Sequence, residues 1–144
     1  MSQEQGCQDI IEPRISKEEM FMQIAEVIAK RSTCKRLHVG AVIADGELKI
    51  IKSYGYNGNY SGGPNTCDTT QPGACGCIHA ELNSLTKPHN RLDSDCIFIT
   101  DSPCTSCAKN IVNSGIKNVF YRKKYRLDEG ILLLEGAGIK VKQI

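Results

Sequence analysis

The sequence predicts an α/β protein: a mixed five-stranded sheet with helices on both faces, in three α/β/α layers. Two observations lead there. Short apolar runs of strand length alternate with segments of helical apolar spacing, in the order α-β-β-α-β-α-β-α-β. The first two runs are joined by a turn signal as a hairpin, so an antiparallel pair precedes strands that helices connect.

Each element has its own signal. Ser16 with Glu19 forms a capping box, and Phe21, Ile24, Ala25 and Ile28 follow at helical spacing, predicting a helix to about Arg31. Val39–Ala44 is a compact apolar strand, Asp45-Gly46 the turn, and the run from Leu48 to Asn57 the second strand. From Asn57 to Gly76 the chain is rich in Gly, Pro, Asn and Thr, without an apolar period, and so long a loop is usually functional. A helix starts near His79, with Leu82 and Leu85 on one face. Cys96–Thr100 is a buried-type strand, and Pro103 opens the next helix as a first-turn residue. That helix carries Ile111 and Val112 and stops at Gly115. The NVFYR run from Asn118 is a strand, Leu127 to Ala137 a helix despite Gly130, and the IKVKQI run a closing strand. Residues 1–14 read as a loose extension and residues 15–144 as a single domain.

The totals narrow the function. A chain of 144 residues can bury a sizeable core, and 40% apolar residues, 24% charged residues and a net charge of +2 are ordinary for a globular protein. That balance makes no electrostatic bid for nucleic acid or a membrane. The first residues lack the basic start and apolar stretch of a signal peptide, and no apolar run approaches the roughly 20 residues that span a bilayer. The expected location is the cytoplasm, that of the host if a phage encodes the chain. Eight cysteines in a reducing compartment point to metal ligands or catalytic groups before disulfides.

The sharpest signal is His79-Ala80-Glu81 followed by Pro103-Cys104-Thr105-Ser106-Cys107. Cys104 and Cys107 lie at a helix start and project from one face, where the helix N-terminus favours thiolates. One imidazole and two thiolates leave a tetrahedral zinc ion a fourth position for water, the mark of a catalytic site. Glu81 is too close to His79 along the chain to be needed as a ligand, and it is well placed to handle that water's protons. The H-x-E…P-C-x-x-C pattern is the signature of zinc-dependent deaminases. The plainer reading is a structural zinc site with Glu81 as a helix-cap charge. Cys34, Cys67, Cys75 and Cys77 flank the first helix's end and the long loop, and could close a second, structural zinc site. Free loop thiols, or a histidine as one ligand, are the alternatives. Cys96 reads as core packing, Cys7 as idle, and His38 and His89 as surface or loop histidines. The basic run Tyr121–Arg126 is either a solvated strand edge or a source of phosphate contacts.

Five segments carry a resemblance to deoxycytidylate (dCMP) deaminases: AKRSTCKRLHVGAVI from Ala29, GYNG from Gly55, HAELN from His79, SPCTSCAK from Ser102 and SGIKNVFY from Ser114. The likeness extends from Phe21 to Val141. The zinc motifs alone also fit tRNA adenosine deaminases, while free cytidine deaminases place a cysteine where His79 stands. The resemblance implies a cytidine-deaminase-like fold and hydrolysis of dCMP to dUMP and ammonia, feeding dTMP synthesis. It implies that Glu81 takes a proton from the zinc-activated water, passes it to ring N3 and then protonates the leaving amine. It also implies that Asn57 bonds the 3′-hydroxyl, that the Ala80 backbone holds the base, and that Arg31 and Ser32 meet the 5′-phosphate. Tyr121 or Tyr125 stands beside the nucleotide on this reading. Such proteins are typically hexamers, activated by dCTP and inhibited by dTTP, with Gly55, Tyr56, Asn57 and Gly58 at the regulatory nucleotide and Mg2+ accompanying it. The short loop between GYNG and HAE leaves few residues to shape a regulatory site. A nucleic-acid deaminase and a non-catalytic zinc-binding interaction module are the rival readings; the latter would tolerate loss of Glu81.

Overall fold

The computed structural model describes residues 13–87, 94–125 and 127–144. Cys7, His89, Arg126 and most of the expected N-terminal extension lie outside them.

Helix α1 (Lys17–Ala29) begins at Ser16, whose hydroxyl accepts the Glu19 N–H at 3.0 Å. The reciprocal half of the capping box is not made. The Glu19 carboxylate turns instead to Gln23 and to Arg122, whose Nη1 donates at 2.9 Å, and Glu26 holds the same guanidinium at 3.1 Å. The helix ends two residues before Arg31, because the N–H groups of Lys30, Arg31 and Ser32 reach back only three residues, to Val27, Ile28 and Ala29.

Strands β1 (Gly40–Ala44) and β2 (Ile51–Tyr56) form the expected antiparallel pair. The connection is longer than a two-residue turn. Asp45 Oδ1 accepts the N–H groups of Lys49 and Ile50, and Leu48 takes a φ of 56°, so the second strand starts at Ile51 rather than Leu48. Helix α2 (Ala80–Leu85), strand β3 (Cys96–Asp101), helix α3 (Thr105–Ser114), strand β4 (Asn118–Lys123), helix α4 (Glu129–Gly136) and strand β5 (Lys140–Gln143) complete the order. The sheet runs β2-β1-β3-β4-β5, with β1 antiparallel to both neighbours and β3, β4 and β5 mutually parallel.

Alternation along the strands builds the three layers. Ala41, Ile43, Ile97, Ile99 and Val119 face Ala80 of α2, Ala108 and Ile111 of α3 and Leu134 of α4. Val42, Ala44, Cys96 and Phe98 face Phe21, Met22 and Ala25 of α1, where Phe98 stacks between Phe21 and Phe120. Cys96 is core packing, as expected.

Two local expectations are corrected. Pro103 stands just outside α3, and Cys104 is the N-cap, its Sγ accepting the Cys107 N–H at 3.5 Å. Leu82 is 36% exposed, and the buried face of α2 is Ala80, Glu81 and Ser84. The reason is space: a β-carbon on Gly55 would lie 2.5 Å from the Ala80 carbonyl oxygen, so α2 meets β2 backbone to backbone and only small side chains fit between them. Gly130, an unfavourable residue for a helix, also has a contact to explain it. Its β-carbon would lie 1.9 Å from the Pro103 carbonyl oxygen, one residue before Cys104. Gly130→Ala is therefore expected to destabilise the fold by about 1–3 kcal/mol in urea unfolding. A midpoint at or above that of the wild type would show that α4 yields freely at this contact.

Candidate metal centres and active site

The N-termini of α2 and α3 converge beside the end of β3 and bring three ligating atoms together. His79 is the N-cap of α2, Cys104 the N-cap of α3, and Cys107 lies in the first turn of α3. His79 Nδ1 stands 3.2 Å from Cys107 Sγ and 3.5 Å from Cys104 Sγ. Ligand bonds of roughly 2.0 Å to nitrogen and 2.3 Å to sulfur in a tetrahedron require separations of about 3.5 Å, so the trio fits one zinc ion. Proton affinities reflect the crowding. The Cys107 hydrogen bond and His79 hold the Cys104 thiol down to about 3, against its burial. Cys104 in turn lifts the His79 imidazole to about 9, and Cys104 with burial pushes the Cys107 thiol up. A divalent cation bound here would replace those protons. Cys107 is buried and His79 is exposed, so the trio opens on one side, toward a cavity of about 480 Å³.

Glu81 lies in that cavity wall and is only 4% exposed. Burial lifts its carboxyl to about 7, with the His79 charge pulling the other way. An acid of this kind can both take and give a proton near neutrality.

The other four cysteines form a second group. Cys34 Sγ lies 3.9 Å from Cys75 and 3.8 Å from Cys67, and Cys67 lies 3.6 Å from Cys77. A disulfide needs a bond near 2.05 Å, whereas four thiolates around zinc stand about 3.8 Å apart. His38 joins neither group among the described residues. The Lys35 N–H lowers the Cys67 thiol, while burial raises that of Cys77. Three of these residues, Cys34, Cys75 and Cys77, also line the cavity, so the second group is part of its wall. A single residue, Ile78, separates the two groups along the chain. It is held to Gly58 by paired backbone hydrogen bonds of 2.7 and 3.1 Å.

The remaining expected residues divide. Asn57, the Ala80 backbone and Tyr125 border the cavity. The Asn57 amide is already engaged: Oδ1 accepts the Val39 N–H and Nδ2 donates to the Leu37 carbonyl. Arg31 and Ser32 do not line the cavity. Arg31 lies over the Tyr56 ring, and the Ser32 hydroxyl donates to the Asn57 carbonyl and accepts the Cys34 N–H. Arg36 lines the cavity instead, a cation that the sequence reading passed over. Tyr121 is buried within β4 opposite Ile99, away from the cavity. Gly55 packs on α2, the Tyr56 carbonyl accepts from Asn83, and Gly58 bridges to Ile78; none of these three lines the cavity. The sequence reading also missed Asp101, which lines the cavity and carried no motif signal.

The pattern of the cytidine and deoxycytidylate deaminase zinc-binding region matches residues 15–123. The ComE operon protein 2 of Bacillus subtilis is 36% identical, over 91% of this chain and 72% of its own length. The deoxycytidylate deaminase of Saccharomyces cerevisiae is also 36% identical, over 90% of this chain, and the aligned part spans 45% of that longer protein. The dCMP deaminase of the cyanophage S-TIM5, in complex with dCMP and dUMP, superposes with a TM-score of 0.81 at 33% identity. That match covers 92% of this chain and all of the phage chain. With the family pattern running from α1 through β4 and across both ligand groups, the chain belongs to the cytidine and deoxycytidylate deaminase family.

Proposed function

We propose that the chain hydrolyses dCMP to dUMP and ammonia, a step that supplies the precursor of dTMP. One observation carries the reading: a buried carboxyl, Glu81, stands beside a three-ligand group that opens into a nucleotide-sized cavity. That a phage relative, matched over the whole of its chain, is known with dCMP and dUMP supports the choice of substrate.

His79, Cys104 and Cys107 would hold a zinc ion, and Cys34, Cys67, Cys75 and Cys77 would hold a second, structural one. A zinc ion with an open position lowers the pKa of its water to about 7 and prepares it for attack on carbon. Glu81 would take the first proton of the attacking water and deliver it to ring N3 of the base, then collect the second, from the hydroxyl left on carbon 4, and hand it to the leaving amine. Its burial keeps competing bulk water from the carboxyl. The backbone at Ala80 and the wall at Asn57 orient base and sugar, with Tyr125 beside the nucleotide. Arg36 takes the phosphate role in place of Arg31 and Ser32, because it is the one of the three that reaches the cavity. Residues 15–144 act as one catalytic domain in the cytoplasm. Activation by dCTP, inhibition by dTTP, Mg2+ with the regulatory nucleotide and a hexameric assembly belong to the same proposal.

An ultraviolet assay against dCMP, cytidine, dCTP and an adenosine-bearing tRNA stem-loop tests the reading, with dTTP added in a second series. Turnover of dCMP is expected, and it should fall when dTTP is present. Turnover of the tRNA alone would replace the proposal with the nucleic-acid reading, and indifference to dTTP would remove the regulation. Glu81→Gln should retain its zinc yet lose about 10²–10⁴-fold in kcat; a variant that turns over normally would favour a non-catalytic zinc module. Metal analysis should find two zinc ions per chain, and Cys67→Ser should reduce the count to one. A single zinc in the wild type would return the four thiols to the loop. Arg36→Ala should raise KM for dCMP about tenfold or more, by removal of a charged hydrogen bond, while Arg31→Ala leaves it within about twofold. The reverse ranking would restore Arg31.

A further inference from the structure

The cavity wall holds a second buried carboxyl that the proposed chemistry does not use. Asp101 ends β3, three residues before Cys104, and lines the same cavity as Glu81. It is 9% exposed, and among the described residues its side-chain hydrogen bond is a long one, from the Thr100 hydroxyl at 3.4 Å. That hydroxyl is itself shared, since it accepts the Gly40 N–H at 3.1 Å. An ionised carboxylate offers about four acceptor sites, and leaving them unfilled away from water is costly. Burial raises the Asp101 carboxyl above the usual range, with Thr100 and the Lys123 charge pulling it down. The carboxyl borders the cavity with acceptor capacity to spare, so a donor on the cavity's occupant can fill it.

The position of Asp101 limits which donor that is. It lines the cavity only three residues before Cys104, and this short connection ties it to the end of the cavity that the ligand trio borders. The reacting position of a pyrimidine base must lie at that end. Before reaction this position bears an amino group, which donates; after reaction it bears an oxo group, which only accepts.

We propose that Asp101 is a specificity-determining residue, its carboxylate accepting a hydrogen bond from the exocyclic amine of the substrate and repelling the oxo group of the product. The inference rests on the dCMP reading above. It assigns the two buried carboxyls separate tasks, with Glu81 moving protons and Asp101 distinguishing amine from oxo. It also gives the pocket a means of releasing product, because the same residue that favours dCMP disfavours dUMP.

The test compares KM for dCMP with the competitive Ki for dUMP in zinc-loaded wild type, Asp101→Asn and Asp101→Ala. An amide can donate to an oxo group as well as accept from an amine. Asp101→Asn should therefore lower the ratio of Ki to KM about tenfold or more, chiefly through tighter dUMP binding. Asp101→Ala should lower it through a higher KM for dCMP. Zinc content and thermal midpoint report whether each variant is folded, and a merely structural role for Asp101 would move those readings and leave the ratio unchanged. An unchanged ratio in folded variants would overturn the proposal while leaving the dCMP reading intact, whereas a wild type without dCMP turnover would remove the dCMP reading itself. The wild type offers a measurement that needs no variant: Ki for dUMP should exceed KM for dCMP by about tenfold, and equal values would count against Asp101.

Discussion

The backbone contact between α2 and β2 is the constraint on which the rest of the site depends. At Gly55 the two elements lie so close that a β-carbon would stand 2.5 Å from the Ala80 oxygen and 2.6 Å from the Ser84 nitrogen. Ala80 and Ser84 are consequently sealed against the sheet, and Glu81, in the same first turn, is carried into the interior. His79, at the cap, remains at the surface of the cavity. The same device recurs on the opposite side, where Gly130 lets α4 press on the Pro103 carbonyl and so backs the turn that carries Cys104. Two helix starts, each seated by a glycine contact, thus fix the histidine and the cysteines relative to one another. Packing alone would leave a buried carboxyl as a liability. Here the burial shifts its proton affinity toward neutrality and makes it useful.

The four-cysteine group addresses a different physical problem. Between β2 and α2 the chain runs through residues 57–79 with almost no regular structure, yet it must form one wall of the cavity. Backbone hydrogen bonds within it are sparse and mostly local: Gly63 to Tyr60, Thr66 to Pro64, Ala74 to Gln71, Asp68 to Cys75, and the Gly58–Ile78 pair. A metal ion held by Cys34, Cys67, Cys75 and Cys77 would join this loop to the end of α1 and compensate for the entropy of ordering it.

The site was legible in the sequence where its residues lie close together along the chain. His79-x-Glu81 and Cys104-x-x-Cys107 are local patterns, and helical geometry alone puts each set on one turn. The sheet was legible for the same reason, since buried strands of alternating contact leave an apolar run. What could not be read depends on contacts across the fold. Arg31 and Arg36 are alike in sequence context, and only the tight last turns after α1 decide that Arg36 meets the cavity. Leu82 looked like a core residue until Gly55 brought β2 too near for a leucine side chain to pack inward. Glu19 satisfied a local capping rule, but an arginine far away in the chain offered its carboxylate a stronger partner. Asp101 had no spacing to announce it, because its significance lies in what surrounds it.

Charge ties the two cysteine groups to the choice of Arg36. Zinc held by two thiolates and a neutral imidazole is formally neutral, whereas zinc held by four thiolates carries a net charge of about −2. The second group lines the cavity through Cys34, Cys75 and Cys77, so a dianionic nucleotide would approach a wall of its own sign. The sequence places two cations directly after the first of these ligands, Lys35 and Arg36. Lys35 donates its backbone N–H to Cys67 Sγ, and Arg36 extends the same segment to the cavity. Arg36 thus stands where it can offset the thiolate charge and meet a phosphate at once, with a guanidinium whose planar fork suits that anion. With a metal on the four thiolates and an anionic nucleotide in the cavity, this wall would need a cation, and among the described residues Arg36 is the one that lines it.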